Sequence, residues 1–125
     1  MKYYSHLLSL ALVLLFVFFF KLDGKTQNND KERKKKYVTE TFWVNSDCDM
    51  CKARIEKACD VKGIRSAVYE KDKFLLTVVF RPDKITLEEI HDAIARIGYD
   101  TSQRMATDEA YQSLPDCCQY DRTKK

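Results

Sequence analysis

The chain has 125 residues, 45% of them hydrophobic, with a formal net charge of +3 and five cysteines. That length holds one compact domain plus appendages. Residues 1–36 carry +5 and residues 37–125 carry −2, so the basic character belongs to the leader, and charge argues against a nucleic-acid binder.

Residues 1–22 read as a signal peptide or membrane anchor. Lys2 precedes an uncharged run, Leu7 to Phe20, broken only by Ser9. Its 14 positions reach roughly 21 Å at ~1.5 Å each, short of a ~30 Å hydrocarbon core. Extended back to Tyr3 the run has 18 positions, marginal for a span. The short apolar run suits a signal peptide, yet Lys21-Leu22-Asp23-Gly24 offers no small-x-small cleavage site and no cysteine follows for lipidation. Apolarity on every face sets aside a buried soluble helix. Residues 23–36, polar and free of aromatics, are expected to be a disordered tether. Its cluster Lys31-Glu32-Arg33-Lys34-Lys35-Lys36 is either a solvated linker or a contact with anionic lipid heads. The positive-inside tendency would keep that cluster cytoplasmic, whereas the apolar run is of export length. The expectation is an extracytoplasmic protein, periplasmic or secreted, with membrane association through residues 3–22 where the leader is retained.

The domain proper is expected over residues 37–104. Val38, Phe42 and Val44 share one face at period two, interrupted by Glu40, which predicts a strand. A helix follows from Met50 to Ala58, with Ile55, Ala58 and Cys59 inward and Lys52, Arg54, Glu56 and Lys57 outward. Gly63 restarts the chain, Ile64 to Tyr69 reads as a second strand, and Glu70-Lys71-Asp72-Lys73 as a turn. Phe74, Leu76, Val78 and Phe80 line one face of a third strand, which Pro82 ends. Thr86-Leu87-Glu88-Glu89 is a capping box for a helix carrying Leu87, Ile90, Ile94 and Ile97, with Gly98 just past its end. Tyr99 to Arg104 is expected to add a short fourth strand. The order βαββαβ predicts an α+β ferredoxin-like sandwich, two helices over one face of a four-stranded antiparallel sheet.

The chemistry centres on Cys48-Asp49-Met50-Cys51, at the strand-to-helix junction. With Asp47 as helix cap, both thiols fall in the first turn, where free N–H groups and the helix dipole favour thiolate, the form that binds metal. Cys-x-x-Cys alone serves zinc ribbons, redox enzymes and soft-metal carriers. No second such pair and no His-x-x-x-His accompany it, so a closed zinc site does not follow from spacing. His6 lies in the leader, and His91, beside Ile90, reads as a surface or half-buried structural residue. Cys59 reads as a small buried hydrophobe. With three glycines there is no phosphate-binding loop, and no hydrolytic arrangement is evident, so the chain is expected not to be an enzyme.

Phe42-x-Val44, Cys48-x-x-Cys51, Gly63-Ile64, Leu76-Thr77-Val78 with Pro82, and Gly98-Tyr99 together resemble the heavy-metal-associated domains of copper chaperones, metal-pumping ATPases and the periplasmic mercury-binding protein. The resemblance spans Tyr37 to Arg104 and implies the βαββαβ fold, with Cys48 and Cys51 as metal ligands. It departs from the family at Ser46, where members often carry a methionine that packs beneath the loop. Asp47 before Cys48 is similar to zinc- and lead-pump versions, in which a carboxylate joins the thiolates; otherwise Asp47 only caps the helix. Two thiolates suit Cu(I) or Hg(II), favoured over the Zn(II) that a carboxylate would admit. Tyr99 matches the position that closes over the metal loop in bacterial members, or is an ordinary strand aromatic. The partners implied are a metal-transporting membrane protein or another metal-binding domain. The exportable leader and the tail resemble an extracytoplasmic branch of the family.

That tail, residues 105–125, carries Cys117 and Cys118. Asp108 to Ser113 suits a short helix, and 13 residues are enough to return the chain along the ~20 Å of a strand. The two thiols are then further ligands for the metal, a separate soft-metal grip, a disulfide within the tail, or a bridge to a partner. The leading function is soft-metal binding and transfer by thiolate exchange. The alternatives are an extracytoplasmic thiol–disulfide redox module and a disulfide-stabilised interaction module.

Overall fold

The computed structural model describes Tyr3 and residues 36–124. The expectations for residues 1–22, for the tether and for His6 lie outside the described residues. Among the described residues, no helix is long and apolar enough to cross a membrane.

Three strands form the sheet: β1 (Val38–Trp43), β2 (Ile64–Glu70) and β3 (Leu75–Phe80), in the order β1-β3-β2. Both pairings are antiparallel, with Phe42 and Tyr69 opposite Leu76. Period-two alternation puts Leu76, Val78 and Phe80 inward from β3, the most regular strand of the three. Helix α1 (Asp49–Ala58) adds Cys51 and Ile55, one turn apart, and Cys59 caps its end from within the core. Helix α2 (Leu87–Arg96) adds Ile90, His91, Ile94 and Ala95. The expected capping box is present: Thr86 Oγ1 accepts from the Glu89 amide, and the Thr86 amide donates to the Glu89 carboxylate. These stripes meet in one core that also includes Val44, Tyr69, Tyr99, Leu114, Cys118 and Tyr120.

Two strand expectations are corrected. Phe74 does not join the β3 stripe: it takes a left-handed conformation (φ 56°) and is 37% exposed. A short 3-10 turn, Lys71–Lys73, reverses the chain, and the Phe74 amide closes it by donating to the Lys71 carbonyl at 3.2 Å. The left-handed residue costs about 1–2 kcal/mol but leaves the parity of Leu76, Val78 and Phe80 unchanged.

The fourth strand is likewise absent among the described residues. Beside Val44 there is one isolated bridge, to Thr101. Two hydrogen bonds flank it, Asn45 N to Asp100 O at 2.9 Å and Ser102 N to Trp43 O at 3.0 Å. The chain then folds on itself, because the Thr101 hydroxyl accepts from the Arg104 amide at 2.9 Å and the Thr101 amide donates to the Arg104 carbonyl at 2.7 Å. That local turn satisfies groups a longer ladder would have used. The sheet is therefore three-stranded, within the same α+β architecture.

Beyond the turn, helix α3 (Asp108–Gln112) starts at the Thr107 cap and a 3-10 turn covers Asp116–Cys118. The tail is built into the domain. Tyr120 Oη accepts from the Asp100 amide at 2.7 Å and donates to the Gly98 carbonyl at 2.9 Å. Its ring stacks on Tyr99 and meets Tyr111 edge-on. The Arg122 guanidinium grips both oxygens of Asp100, at 2.8 and 2.9 Å, while Asn45 Nδ2 donates to the Asp121 carbonyl at 3.0 Å.

Gly98 permits this closure. Its φ of +106° ends α2, and a Cβ there would lie 2.6 Å from the Ala110 carbonyl oxygen and 2.8 Å from Leu114 Cγ. Gly98→Ala is expected to cost about 1–3 kcal/mol of stability. Urea unfolding of the full chain measures it; a midpoint equal to wild type would show that the tail does not press on this residue.

Candidate metal centre

The loop that presents the thiols, Val44 to Cys48, is fixed from below. Ser46 is 3% exposed, and its hydroxyl lies 2.7 Å from the Tyr69 hydroxyl, which donates onward to the Val44 carbonyl at 2.7 Å. A directional hydrogen bond thus holds the loop at the position where family members often place methionine. Nothing in the sequence pattern marks this pair, because Tyr69 reads only as an inward strand residue.

Asp47 is exposed and is not the helix cap. Cys48 occupies that position, with extended backbone (φ −140°, ψ 167°), and its carbonyl accepts from the Cys51 amide at 3.1 Å. The cap falls one residue later than expected, at Cys48, which leaves Asp47 outside the helix, while the helix itself begins at Asp49, one residue before the expected Met50. Negative charge at the helix start comes instead from Asp49, whose carboxylate pairs with Lys71 Nζ at 2.7 Å and is thereby held below the usual carboxylate range.

The Cys48 and Cys51 sulfurs are 3.1 Å apart. The returning tail brings Cys118 Sγ to 3.5 Å and Cys117 Sγ to 3.9 Å from Cys48 Sγ, with 3.9 Å between the two tail sulfurs. Among the described residues, Cys48, Cys117 and Cys118 make a group whose candidate ligand atoms all lie within 4.8 Å of one another; Asp47 is not in it. All five cysteines are free thiols. Their exposure is graded: Cys51 and Cys118 are fully buried, Cys48 is partly open and Cys117 is exposed. Cys51 is hidden because it shares the inward stripe of α1 with Ile55. The expected pair is therefore assembled but only half open.

Burial, with the adjacent Cys51 thiol, pushes the Cys118 thiol up to about 12. It is protonated in the free protein, and a binding metal must expel that proton. Tyr99 is fully buried beside these thiols, its hydroxyl without a hydrogen-bond partner. Burial and the neighbouring Cys51 and Cys118 drive its ionisation upward. Tyr99 follows the end of α2, outside any strand, and lies against Cys51 and Cys118.

His91 is deeper than expected. It is fully buried, with Nδ1 2.7 Å from Thr101 Oγ1 and its ring centroid 4.0 Å from that of Phe42. It braces the turn that replaces the fourth strand, a structural role, and burial lowers its pKa. A surface cleft lined by Trp43, Thr101, Arg104, Met105 and Arg122 contains no cysteine and takes no part in the cluster.

Cys59 is the buried hydrophobe expected. Burial, helped by Glu56, raises its thiol from 9.0 to about 11. The unfolded chain ionises first, so this stabilisation is complete below pH ~9 and is lost as pH climbs towards ~11, about 2–3 kcal/mol at ~1.4 kcal/mol per pH unit. Cys59→Ala is expected to flatten that part of the stability–pH curve. An unaltered slope in chemical denaturation from pH 8 to 11 would remove Cys59 as its source.

An α+β domain that presents a Cys-x-x-Cys pair at the start of its first helix belongs with the small thiol-bearing domains, a class that holds both soft-metal binders and redox modules. Residues 41–100 match the heavy-metal-associated domain family model. A CopZ metallochaperone is 27% identical, covering 51% of this chain and 98% of its own, with a TM-score of 0.50. Oxidized MerP from Ralstonia metallidurans CH34 is 25% identical, covering 54% and 96%, at 0.51. The N-terminal domain of a potential copper-translocating P-type ATPase from Bacillus subtilis, in the Cu(I)-loaded state, shares the fold at 22% identity, covering 53% and 85%, at 0.51. The comparison with curated proteins finds no match.

Proposed function

We propose that this protein binds a soft heavy-metal ion through Cys48 and Cys51 and passes it on by thiolate exchange. The observation that carries this reading is the 3.1 Å approach of the two sulfurs at the half-open start of α1, inside a heavy-metal-associated domain. The cluster is made of thiols and the exposed Asp47 stands outside it, so Cu(I) or Hg(II) is favoured over Zn(II). An incoming thiol loses its proton to water, its sulfur bonds to the ion, and the Cys48–metal bond breaks. Cys48 then takes up a proton, and no electron changes hands. Cys51, held from the helix, retains the ion until Cys48 has been replaced. The transporter-domain and chaperone relatives support a metal-transporting membrane protein or another metal-binding domain as the partner. The leader supports an extracytoplasmic location, secreted or anchored through residues 3–22.

The full chain, purified anaerobically with reductant, is expected to bind about one Cu(I) against a competing chelator. Absence of any tight Cu(I), Hg(II) or Zn(II) binding would sink the reading. The close Cys48–Cys51 approach also suits a thiol–disulfide redox module. Sustained insulin reduction without metal binding would favour that instead.

A further inference from the structure

The sulfur spacing decides how many ligands the site is built for. With metal–sulfur bonds of ~2.3 Å, sulfurs lie ~3.8–4.0 Å apart in a four- or three-coordinate site and ~4.6 Å apart in a linear one. The Cys48, Cys117 and Cys118 sulfurs are already separated by 3.5, 3.9 and 3.9 Å. They need to move only by tenths of an ångström to close on one ion. A linear site on Cys48 and Cys51 must open their 3.1 Å gap by about 1.5 Å, with the tail lying against it. Closure with the tail thiols is the smaller rearrangement in a close-packed interior.

The tail is held there by more than the sulfurs. Asp100, 2% exposed at its side chain, takes two hydrogen bonds from Arg122; Tyr120 bonds both the Gly98 carbonyl and the Asp100 amide. Both anchors, Tyr120 and Arg122, hold the tail just after the Asp116–Cys118 turn. Cys118 thereby faces inward at full burial, and Cys117 faces outward, its sulfur 4.0 Å from Met50 Sδ.

We infer that Cys117 and Cys118 are metal ligands, completing with Cys48 a three-sulfur site, with Cys51 behind it as a fourth thiolate. The tail is a coordinating lid rather than an appendage. Its exposed member, Cys117, is where a partner's thiolate displaces the first protein ligand. The exchange is balanced as for Cys48: the new metal–sulfur bond replaces the Cys117–metal bond, and a proton passes from the incoming thiol, through water, to Cys117. This inference rests on the soft-metal reading above.

The test is X-ray absorption on the Cu(I)-loaded full chain, beside Cys117→Ser and Cys117→Ser/Cys118→Ser, with competition titrations of each. Three or four sulfurs are expected around the ion in the wild type. The count should fall by one in Cys117→Ser, whose exposed position spares the fold. The double variant should retain one Cu(I) on two sulfurs, with affinity lowered by more than the ~10–100-fold typical of changes outside the ligand set. Two sulfurs in the wild type, with affinity unchanged in both variants, would overturn the lid while leaving the Cys48/Cys51 reading intact. A wild type that binds no metal would overturn both. The wild-type sulfur count decides the matter even where the buried Cys118→Ser change disturbs folding.

Discussion

Replacing Cys48 and Cys51 together with serine is expected to abolish stoichiometric Cu(I) binding by the full chain. Serine hydroxyls are hard and protonated at neutral pH, whereas Cu(I) selects thiolate. Cys48 is the sulfur nearest all the others, at 3.1 Å from Cys51, 3.5 Å from Cys118 and 3.9 Å from Cys117. Losing it removes the shared corner of every arrangement the cluster offers. The affinity loss should exceed the ~10–100-fold that outer-shell changes cause. A chelator competition titration measures this, with far-UV circular dichroism to show that the domain still folds. A double variant that held one Cu(I) at wild-type affinity would end the case for this site. Cys59→Ser serves as the control, since that thiol caps the far end of α1 and is in none of the sulfur contacts of the cluster.

Arg122→Ala is expected to destabilise the domain by about 3 kcal/mol and to release the tail. Asp100 is 2% exposed at its side chain, and the guanidinium supplies two hydrogen bonds to it, at 2.8 and 2.9 Å. The Ala106 amide is its other donor, at 2.8 Å. Removing Arg122 leaves a buried carboxylate without its counter-charge, the costly way to break such a pair. Lysine at 122 restores the charge but not the two-pronged grip, so it should recover part of the loss. Two readouts are needed. The urea midpoint reports the stability, and mass-resolved iodoacetamide labelling of the metal-free protein reports whether Cys118 has become accessible. An unchanged midpoint with Cys118 still protected would mean that the ion pair does not hold the tail over the thiols.

Both experiments depend on features that differ in how visible they are in the chain itself. The β3 alternation of Leu76, Val78 and Phe80, the α2 stripe of Ile90 and Ile94, the Thr86–Glu89 capping box and Gly98 are local patterns, and each is found in the structure. Asp47 was expected to cap α1, but Cys48 does so, a one-residue displacement of a helix start that propensity resolves poorly. Phe74 fits the apolar stripe by parity, yet turn closure draws it into the left-handed region. Tyr99 to Arg104 has strand-like residues, but the Thr101 hydroxyl closes a turn first, and buried His91 backs it. Ser46 looks like a loss of packing from sequence, whereas in three dimensions Tyr69 holds it.

Period, capping and turn chemistry operate over a few residues. For that reason the chain alone determined the α+β core, the Cys48–Cys51 pair at the mouth of α1 and the likeness to heavy-metal-associated domains. The meeting of Cys48 with Cys117 and Cys118, 69 and 70 positions away, was decided only by tertiary structure. It depends on a Gly98 that lets α3 close in, a buried Asp100 that requires Arg122, and Tyr120 seated between them. No short-range pattern encodes contacts of that separation. They exist because the buried Asp100 carboxylate needs the Arg122 counter-charge and the Tyr120 ring finds cover against Tyr99, both of which bring the tail back over the thiols.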